Sequence, residues 1–381
     1  MGDWPGTLEG LVMITNHVQA EFWHNRSVFI TGHTGFKGSW LSLWLHKLSA
    51  RLTGYALDPA TTPSLYEVCK IKELLVNDIR ADIRDYACLL SSMQAAKPEV
   101  VLHLAAQAMV RDGYRDPVAT FATNVMGTVH VLDAARHCPS VRAVVIITSD
   151  KCYENREWPW GYRENDPMGG IDPYSASKGC AELVTASYQR AFTGQTPELL
   201  TSGPIASARA GNVIGGGDWS QGRLIPDILA AVHEQKPLRL RYPEAVRPWQ
   251  HVLEPLSGYL LLSQTLWERG HAMTGAWNFG PHDHDVVSVR SVVDALIQRM
   301  NHNHLPMQHT QTPAHEAGQL KLDSSKAKSQ LGWLPRWTIG QALDKVVAWD
   351  QVWRSGASMQ EFSLSQIQEY MNNDKKLQAE L

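Results

Sequence analysis

The stretch "SVFITGHTGFKGSWLSLWLHKL" restricts the fold more than any other part of the chain. An apolar run opens into glycines and then into a segment with helical periodicity. Gly32, Gly35 and Gly38 form G-x-x-G-x-x-G at that switch. Glycine suits the position because the backbone must turn tightly and approach a pyrophosphate closely. The helix start then offers unpaired N–H groups to phosphate oxygens. The turn predicts a strand–helix unit that opens a dinucleotide-binding sheet. A phosphate loop for another ligand, or a simple packing turn, would use the same residues.

The alternation continues downstream. "RLTGYALDP", "VVLHLAAQ" and "AVVIITS" read as strands, and "ATFATNVMGTVHVLDAAR" and "YSASKGCAELVTASYQRAF" as helices. Such alternation implies a parallel sheet covered on both faces. The expected class is α/β, a Rossmann-like doubly wound parallel sheet with a smaller, discontinuous, mostly helical substrate domain. Residues 1–22 read as a tail or edge element and 23–203 as the dinucleotide domain, with returning pieces near 247–281. The substrate domain is expected from 204–246 and 282–340, followed by a C-terminal helical region over 341–381.

Charge narrows the partners. With 35 basic and 38 acidic residues the formal net charge is -3, so the basic excess of a nucleic-acid binder is missing. No apolar run is long enough for a membrane span, and the first residues do not read as a signal peptide. Five scattered cysteines without a CxxC pair fit a reducing, cytoplasmic setting. The histidines of "GPHDHD" and "RMNHNH" form no zinc-like ligand set, so no metal is expected.

Asp58, at the end of the next strand, can bind a ribose 2′-OH and would repel a 2′-phosphate, which favours NAD over NADP. Thr34, Phe36 and Lys37 share the glycine turn and join the expected cofactor contacts, as do Leu104, Ala105 and Ala106 after "VVLH". Asp82 and Ile83 could border the adenine, although an acid after a strand is often a helix cap.

The reaction centre is expected where "AVVIITSDKCYEN" leaves its strand, because Ser149, Asp150 and Lys151 arrive together there. Tyr174 and Lys178 stand four apart on one helix and share a face. A nearby ammonium favours phenolate, so Tyr174 can take a proton from a sugar hydroxyl while hydride leaves the same carbon. Lys178 can also bind the nicotinamide ribose. Such pairs also arise on helices by chance.

The pieces "TGHTGFKGSWL", "LAAQAMV", "ITSDKCYEN", "YSASKGCAE", "ARAGNVIGGGDW" and "RPWQHVLEPLSGYL" resemble the extended short-chain dehydrogenase/reductases, within them the nucleotide-sugar 4,6-dehydratases. The resemblance runs from about residue 24 to 340. It implies NAD as cofactor and a nucleotide sugar as substrate, with overall likeness favouring a cytidine diphosphosugar. It also implies a cycle of C4 oxidation, loss of water across C5 and C6, and hydride return to C6. Tyr174 would deprotonate the C4 hydroxyl, Ser149 would steady the growing ketone, and Asp150 would protonate the departing hydroxyl.

The family usually carries Thr-Asp-Glu at this strand end, and here Lys151 stands where the glutamate serves C5. A free lysine is neutral in roughly one molecule in a thousand near pH 7. Lys151 therefore needs a lowered pKa to act as the C5 base, or it stabilises the enolate as a cation. Gln107, Arg209, Asn212, Arg223 and Arg247 are the expected sugar and phosphate contacts. Arg247 suits a diphosphate because arginine forks two bonds, and a surface salt bridge is the plain alternative. "GGGD" reads as a loop that closes over a ligand, or as a hinge.

The helices spanning 119–136 and 174–192 carry apolar outer positions, and the family pairs them across a dimer, so a dimer or tetramer is expected. Two rivals use some of these residues. A sibling epimerase would keep the glycines, Tyr174 and Lys178 without the Asp150–Lys151 pair. An NAD-binding sensor would need only the glycine turn.

Overall fold

The computed structural model describes residues 17–192, 203–302, 305–309 and 318–379. Most of the expected tail, and His304 of "RMNHNH", lie outside these. Its last residues do not hang free, since Val18 is buried in the main core and Phe22 packs against it.

Seven strands make the central sheet: β1 (Ser27–Thr31), β2 (Arg51–Ala56), β3 (Asn77–Arg80), β4 (Val100–His103), β5 (Ala143–Ile147), β6 (Ile205–Ala210) and, after three smaller-domain strands, β10 (Gly275–Phe279). Their order is β10-β6-β5-β4-β1-β2-β3, and every neighbouring pair is parallel. The chain order reverses between β1 and β4, which is where a doubly wound sheet opens a crevice at its carboxyl ends.

Side-chain alternation divides each strand between two helix layers. On β5, Ala143, Val145 and Ile147 enter one core cluster, while Val144 and Ile146 enter the other. Burial on both faces explains why these strands read as continuous apolar runs.

The smaller domain has its own core and two short sheets. β7 (Asn212–Ile214), β9 (Val246–His251) and β11 (Val286–Ser288) form one, and β8 (Leu238–Leu240) pairs with β12 (Met307–His309). Three expected boundaries are corrected here. β6 belongs to the large sheet, because it pairs with both β5 and β10. β9 belongs to the smaller domain, so the chain returns only with the helix Leu253–Arg269. The helix Ile339–Arg354 places Leu343 and Val346 in the smaller core, whereas Ile367 and Tyr370 of the last helix, Met359–Ala379, join the main one. The last two helices therefore do not form a separate region.

The "GGGD" glycines answer to packing. A Cβ on Gly216 would sit 2.0 Å from the Trp349 ring, and Gly217 has φ +80°. The helical reading of 119–136 holds with one difference, a π-turn over Ala122–Met126 inside it.

Candidate active site

A cavity of about 1500 Å³ lies over the carboxyl ends of the large sheet, between it and the smaller domain. One end is the glycine turn. Gly32 has φ +77°, and a Cβ there would lie 2.6 Å from the backbone nitrogen of Ala105. A Cβ on Gly38 would lie 2.1 Å from the Gly32 carbonyl oxygen. The helix Phe36–Lys47 begins at Gly35 with no side-chain cap and no acid in its first turn. Its first N–H groups therefore remain available to an anion, as a bound dinucleotide pyrophosphate requires. His33 locks the turn from behind, with Nε2 2.7 Å from Asp78 Oδ1. Thr31 Oγ1 accepts from the N–H groups of Leu104 and Ala105, each at 3.2 Å, tying β4 to β1.

Thr34, Phe36, Lys37, Asp58, Asp82, Ile83, Leu104, Ala105 and Ala106 all line the cavity, as expected. Asp85, rather than Asp82, caps the following helix, so Asp82 is spared that role. Asp82 instead accepts from Arg84, which holds its carboxyl below the usual range. Arg80 stands near Asp58, at 3.9 Å, but also pairs with Asp78 at 3.2 Å. Two acids around one guanidinium leave this corner unsuited to an extra phosphate.

The other end holds the residues expected at the reaction centre. Thr148 turns inward and donates to Glu182, while Ser149, Asp150 and Lys151 face the cavity. Ser149 caps the short turn Asp150–Cys152, accepting from the Lys151 N–H at 3.2 Å and donating to Asp150 Oδ1 at 2.9 Å. Asp150 is buried, and Oδ2 has no hydrogen-bond partner among the described residues. Burial raises its pKa, against the lowering pull of Lys151, Arg247 and Lys37. A carboxyl in that state can carry a proton.

Tyr174 and Lys178 come from the helix Pro173–Ala191, which is capped by Asp172 with Pro173 in its first turn. Lys178 Nζ lies 3.4 Å from the Ile147 carbonyl, and burial lowers its pKa to about 8. Burial pushes Tyr174 up to about 12, opposed by its bond to Ser149 and by Arg223. Lys151 Nζ lies 5.9 Å from the centre of the Tyr174 ring.

Of the expected substrate contacts, Gln107, Asn212, Arg223 and Arg247 line the cavity. The Gln107 amide is already engaged, its Nε2 donating to Thr120 at 2.9 Å and its Oε1 accepting from the Met109 N–H. Arg209 is a correction, since it is not among the lining residues. Alternation along β6 sends Ala206, Ala208 and Ala210 to one core and Ser207 and Arg209 to the opposite face, beneath the Tyr174 helix. There Arg209 pairs with Glu182 at 2.8 Å and donates to Tyr153 at 2.7 Å.

Sequence reading missed Tyr259, whose buried hydroxyl has no hydrogen-bond partner among the described residues. Its ionisation is opposed first by burial and then by Asp150 and Tyr174, which lie near it. Lys37 approaches the same ring, with Nζ 6.0 Å from its centre. Burial, then Arg223, lowers Lys37 to about 7. No group of three metal-ligating side chains occurs among the described residues, and no described helix is long and apolar enough to cross a membrane.

A doubly wound sheet, a glycine cradle and a Ser–Tyr–Lys set at the end of β5 define a short-chain dehydrogenase/reductase. Residues 29–346 match the family described as GDP-mannose 4,6 dehydratase, and the chain belongs to it. A CDP-glucose 4,6-dehydratase of Salmonella typhimurium is 48% identical over 93% of this chain and 99% of its own. A dTDP-glucose 4,6-dehydratase of Xanthomonas campestris is 25% identical over 89% of this chain and 97% of its own. The solved dTDP-glucose 4,6-dehydratase of Streptomyces venezuelae, with NAD and TYD bound, shares the fold at TM-score 0.73 and 21% identity, over 87% of this chain and 99% of that one.

Proposed function

We propose that the protein is an NAD-dependent nucleotide-sugar 4,6-dehydratase that converts CDP-glucose to CDP-4-dehydro-6-deoxy-glucose and water. The observation that carries this is the convergence of Ser149, Asp150 and Lys151 with Tyr174 and Lys178 in one cavity. The 48% identity to the Salmonella typhimurium enzyme supports the nucleotide.

When bound, NAD supplies a place to hold hydride between C4 and C6 of the sugar. Tyr174 takes the C4 hydroxyl proton in its ionised form, which burial disfavours by raising its pKa to about 12 and which the nearby Arg223 favours. Ser149 holds the C4 oxygen as it becomes a ketone, which acidifies the proton at C5. Lys151 serves C5, either as the base that removes and later returns its proton or as a cation that stabilises the enolate, and its place beside Asp150 suits both. Asp150 gives its proton to the departing C6 hydroxyl, consistent with a carboxyl whose pKa is raised by burial. Arg223 and Arg247 hold the diphosphate of the substrate.

Mass spectrometry tests the assignment. Purified protein is incubated with NAD and, separately, with CDP-, dTDP-, GDP- and UDP-glucose. Loss of one water from CDP-glucose alone is the expected result, and loss from another nucleotide instead would overturn the substrate. Hydrogen–solvent exchange at C5 tests Lys151. Lys151→Met should abolish it, and unchanged exchange would remove Lys151 from the role of base.

Val118, Phe121, Met126 and Leu183 are exposed apolar residues on the helices expected to pair. They support a homodimer built on those helices. Leu183→Glu should yield monomers in sedimentation, and an unchanged assembly would count against this surface. All five cysteines are free, which supports a reducing, cytoplasmic setting.

A further inference from the structure

Away from the reacting end, one guanidinium stands at the corner that receives the adenosine ribose. An acid there binds a free 2′-hydroxyl, whereas an arginine accommodates a 2′-phosphate. This chain carries both. Asp58 lines the cavity, and Arg80 stands 3.9 Å from it. Arg80 is not itself a lining residue, although Leu57, Ala81 and Asp82 around it are. Whatever keeps that guanidinium out of the cavity decides which cofactor the corner accepts.

The restraint is built on β3, the outer strand of the large sheet. Asp78 and Arg80 are two apart on it, so they share a face. Arg80 Nη2 donates to Asp78 Oδ2 at 3.2 Å. Tyr66, from the short helix Leu65–Val68, donates to the same oxygen at 2.7 Å. His33 Nε2 lies 2.7 Å from Oδ1. Burial works against the charge of Asp78, but Tyr66, His33 and Arg80 together hold its pKa below the ordinary value. Two further contacts fix the guanidinium. Its carbon lies 4.3 Å from the centre of the Tyr66 ring, and Nη1 donates to the Leu57 carbonyl at 3.1 Å. That carbonyl also accepts from Thr34 at 2.9 Å, so Asp78, Arg80, Leu57 and the glycine turn close a ring of hydrogen bonds.

The two acids beside Arg80 do not act alike. The Asp58 side chain is 87% exposed, that of Asp78 only 10%. Water and salt screen an exposed charge strongly and a partly buried one much less. Asp78 is also the closer acid, at 3.2 Å against 3.9 Å. We propose that Asp78 is a specificity-determining residue for NAD over NADP, because it holds Arg80 neutralised and turned to the Leu57 carbonyl, away from a 2′-phosphate. Without that carboxylate, Arg80 keeps its fork of N–H donors and gains an uncompensated charge to offer a phosphate. Asp58, the acid at the usual position, then carries the smaller share of the choice. The inference rests on the reading of the glycine turn and Asp58 as the dinucleotide site.

The test counts bound cofactor and needs no turnover. NAD-loaded protein is dialysed against equal concentrations of NAD and NADP, and the two dinucleotides left bound are measured by mass spectrometry. Their ratio is the ratio of the binding constants. Asp78→Asn should move it toward NADP by roughly fivefold, the scale of one partly screened ion pair. Asp58→Asn should move it by about twofold. Added to Arg80→Met, Asp78→Asn should change the ratio by less than about twofold. Asp78→Glu, which keeps the charge, should retain the wild-type ratio. An Asp78 that only braced the turn would loosen both cofactors together and leave the ratio alone, and that result overturns the inference. An equal shift without Arg80 overturns it as well, as does a larger shift from Asp58→Asn than from Asp78→Asn. If Asp78→Asn does not fold, Asp78→Ser removes the same charge with less bulk and reads the same ratio. Wild-type protein that holds neither dinucleotide would instead overturn the reading of the site itself.

Discussion

Glu182 and Asp150 are both buried beside the end of β5, and the protein treats them in opposite ways. Glu182 accepts from Thr148, from Ser207 at 2.7 Å and from Arg209 at 2.8 Å. Desolvation works against its charge, but these partners outweigh it and hold its pKa below the ordinary value. Asp150 has Ser149 on one oxygen and nothing on the other, and burial raises it. The contrast separates a carboxylate that holds structure from a carboxyl suited to handling protons. Both are buried, so burial alone does not separate the two. Unmet hydrogen-bonding capacity does.

The largest effect should come from breaking the satisfied pair. Arg209→Met leaves Glu182 buried without its cation, which costs about 3–5 kcal/mol. Denaturant titration should show that loss, and Glu182→Gln added to Arg209→Met should recover part of it. A loss under about 1 kcal/mol would mean that water reaches Glu182 and the contrast is false.

Asp150→Asn should do the reverse. Water loss should fall by about 10²–10⁴, while the folded state should gain stability at neutral pH because the neutral amide removes the cost of ionising a buried carboxyl. The pH dependence has opposite signs for the two acids. A raised folded pKa means that Asp150 opposes folding once the unfolded carboxylate ionises, so the advantage of Asp150→Asn should appear as pH rises above the carboxylate range and vanish below it. A depressed pKa means that Glu182 supports folding above that range, and its support is lost as pH falls through the folded value. Melting curves of both variants across acid and neutral pH read the two signs directly.

Lys37 gives a smaller effect. Its pKa of about 7 means that it is charged below that pH and neutral above it. Calorimetric binding of CDP should weaken as pH rises through about 7, and Lys37→Met should flatten the curve, a change of about 1 kcal/mol or roughly fivefold. Asp58 is the smallest case, because its side chain is 87% exposed. Asp58→Asn should narrow the preference for NAD over NADP by about 0.5 kcal/mol, measured as a ratio of binding constants.

The parts of the site legible in the sequence were those set by spacing along one element. Gly32, Gly35 and Gly38 sit in one turn, and Tyr174 and Lys178 are four apart on one helix, so local geometry was enough. Glu182 continues that helical face by four more residues and was open to the same reasoning. Arg209 was misplaced because "IASARA" shows a period of two without saying which face meets the cavity. Tyr259 left no trace, since only the packing of the Leu253–Arg269 helix brings it to Asp150. The domain boundaries failed for a similar reason. Whether β6 or β9 joins the large sheet is decided by strands far away in sequence.

The position of β10 has a consequence for biosynthesis. Its residues 275–279 form the outer strand beside β6, and Asn278 accepts from the Tyr153 hydroxyl at 2.8 Å, just after the Asp150–Cys152 turn. A ribosome delivering this chain from its amino end releases every residue from Ser149 to Lys178 before that strand exists. That turn therefore waits, incompletely anchored, through the synthesis of the first part of the smaller domain. Fragments that stop before β10 should emerge as substrates for chaperones and proteases, and the enzyme should acquire its working site only late in translation.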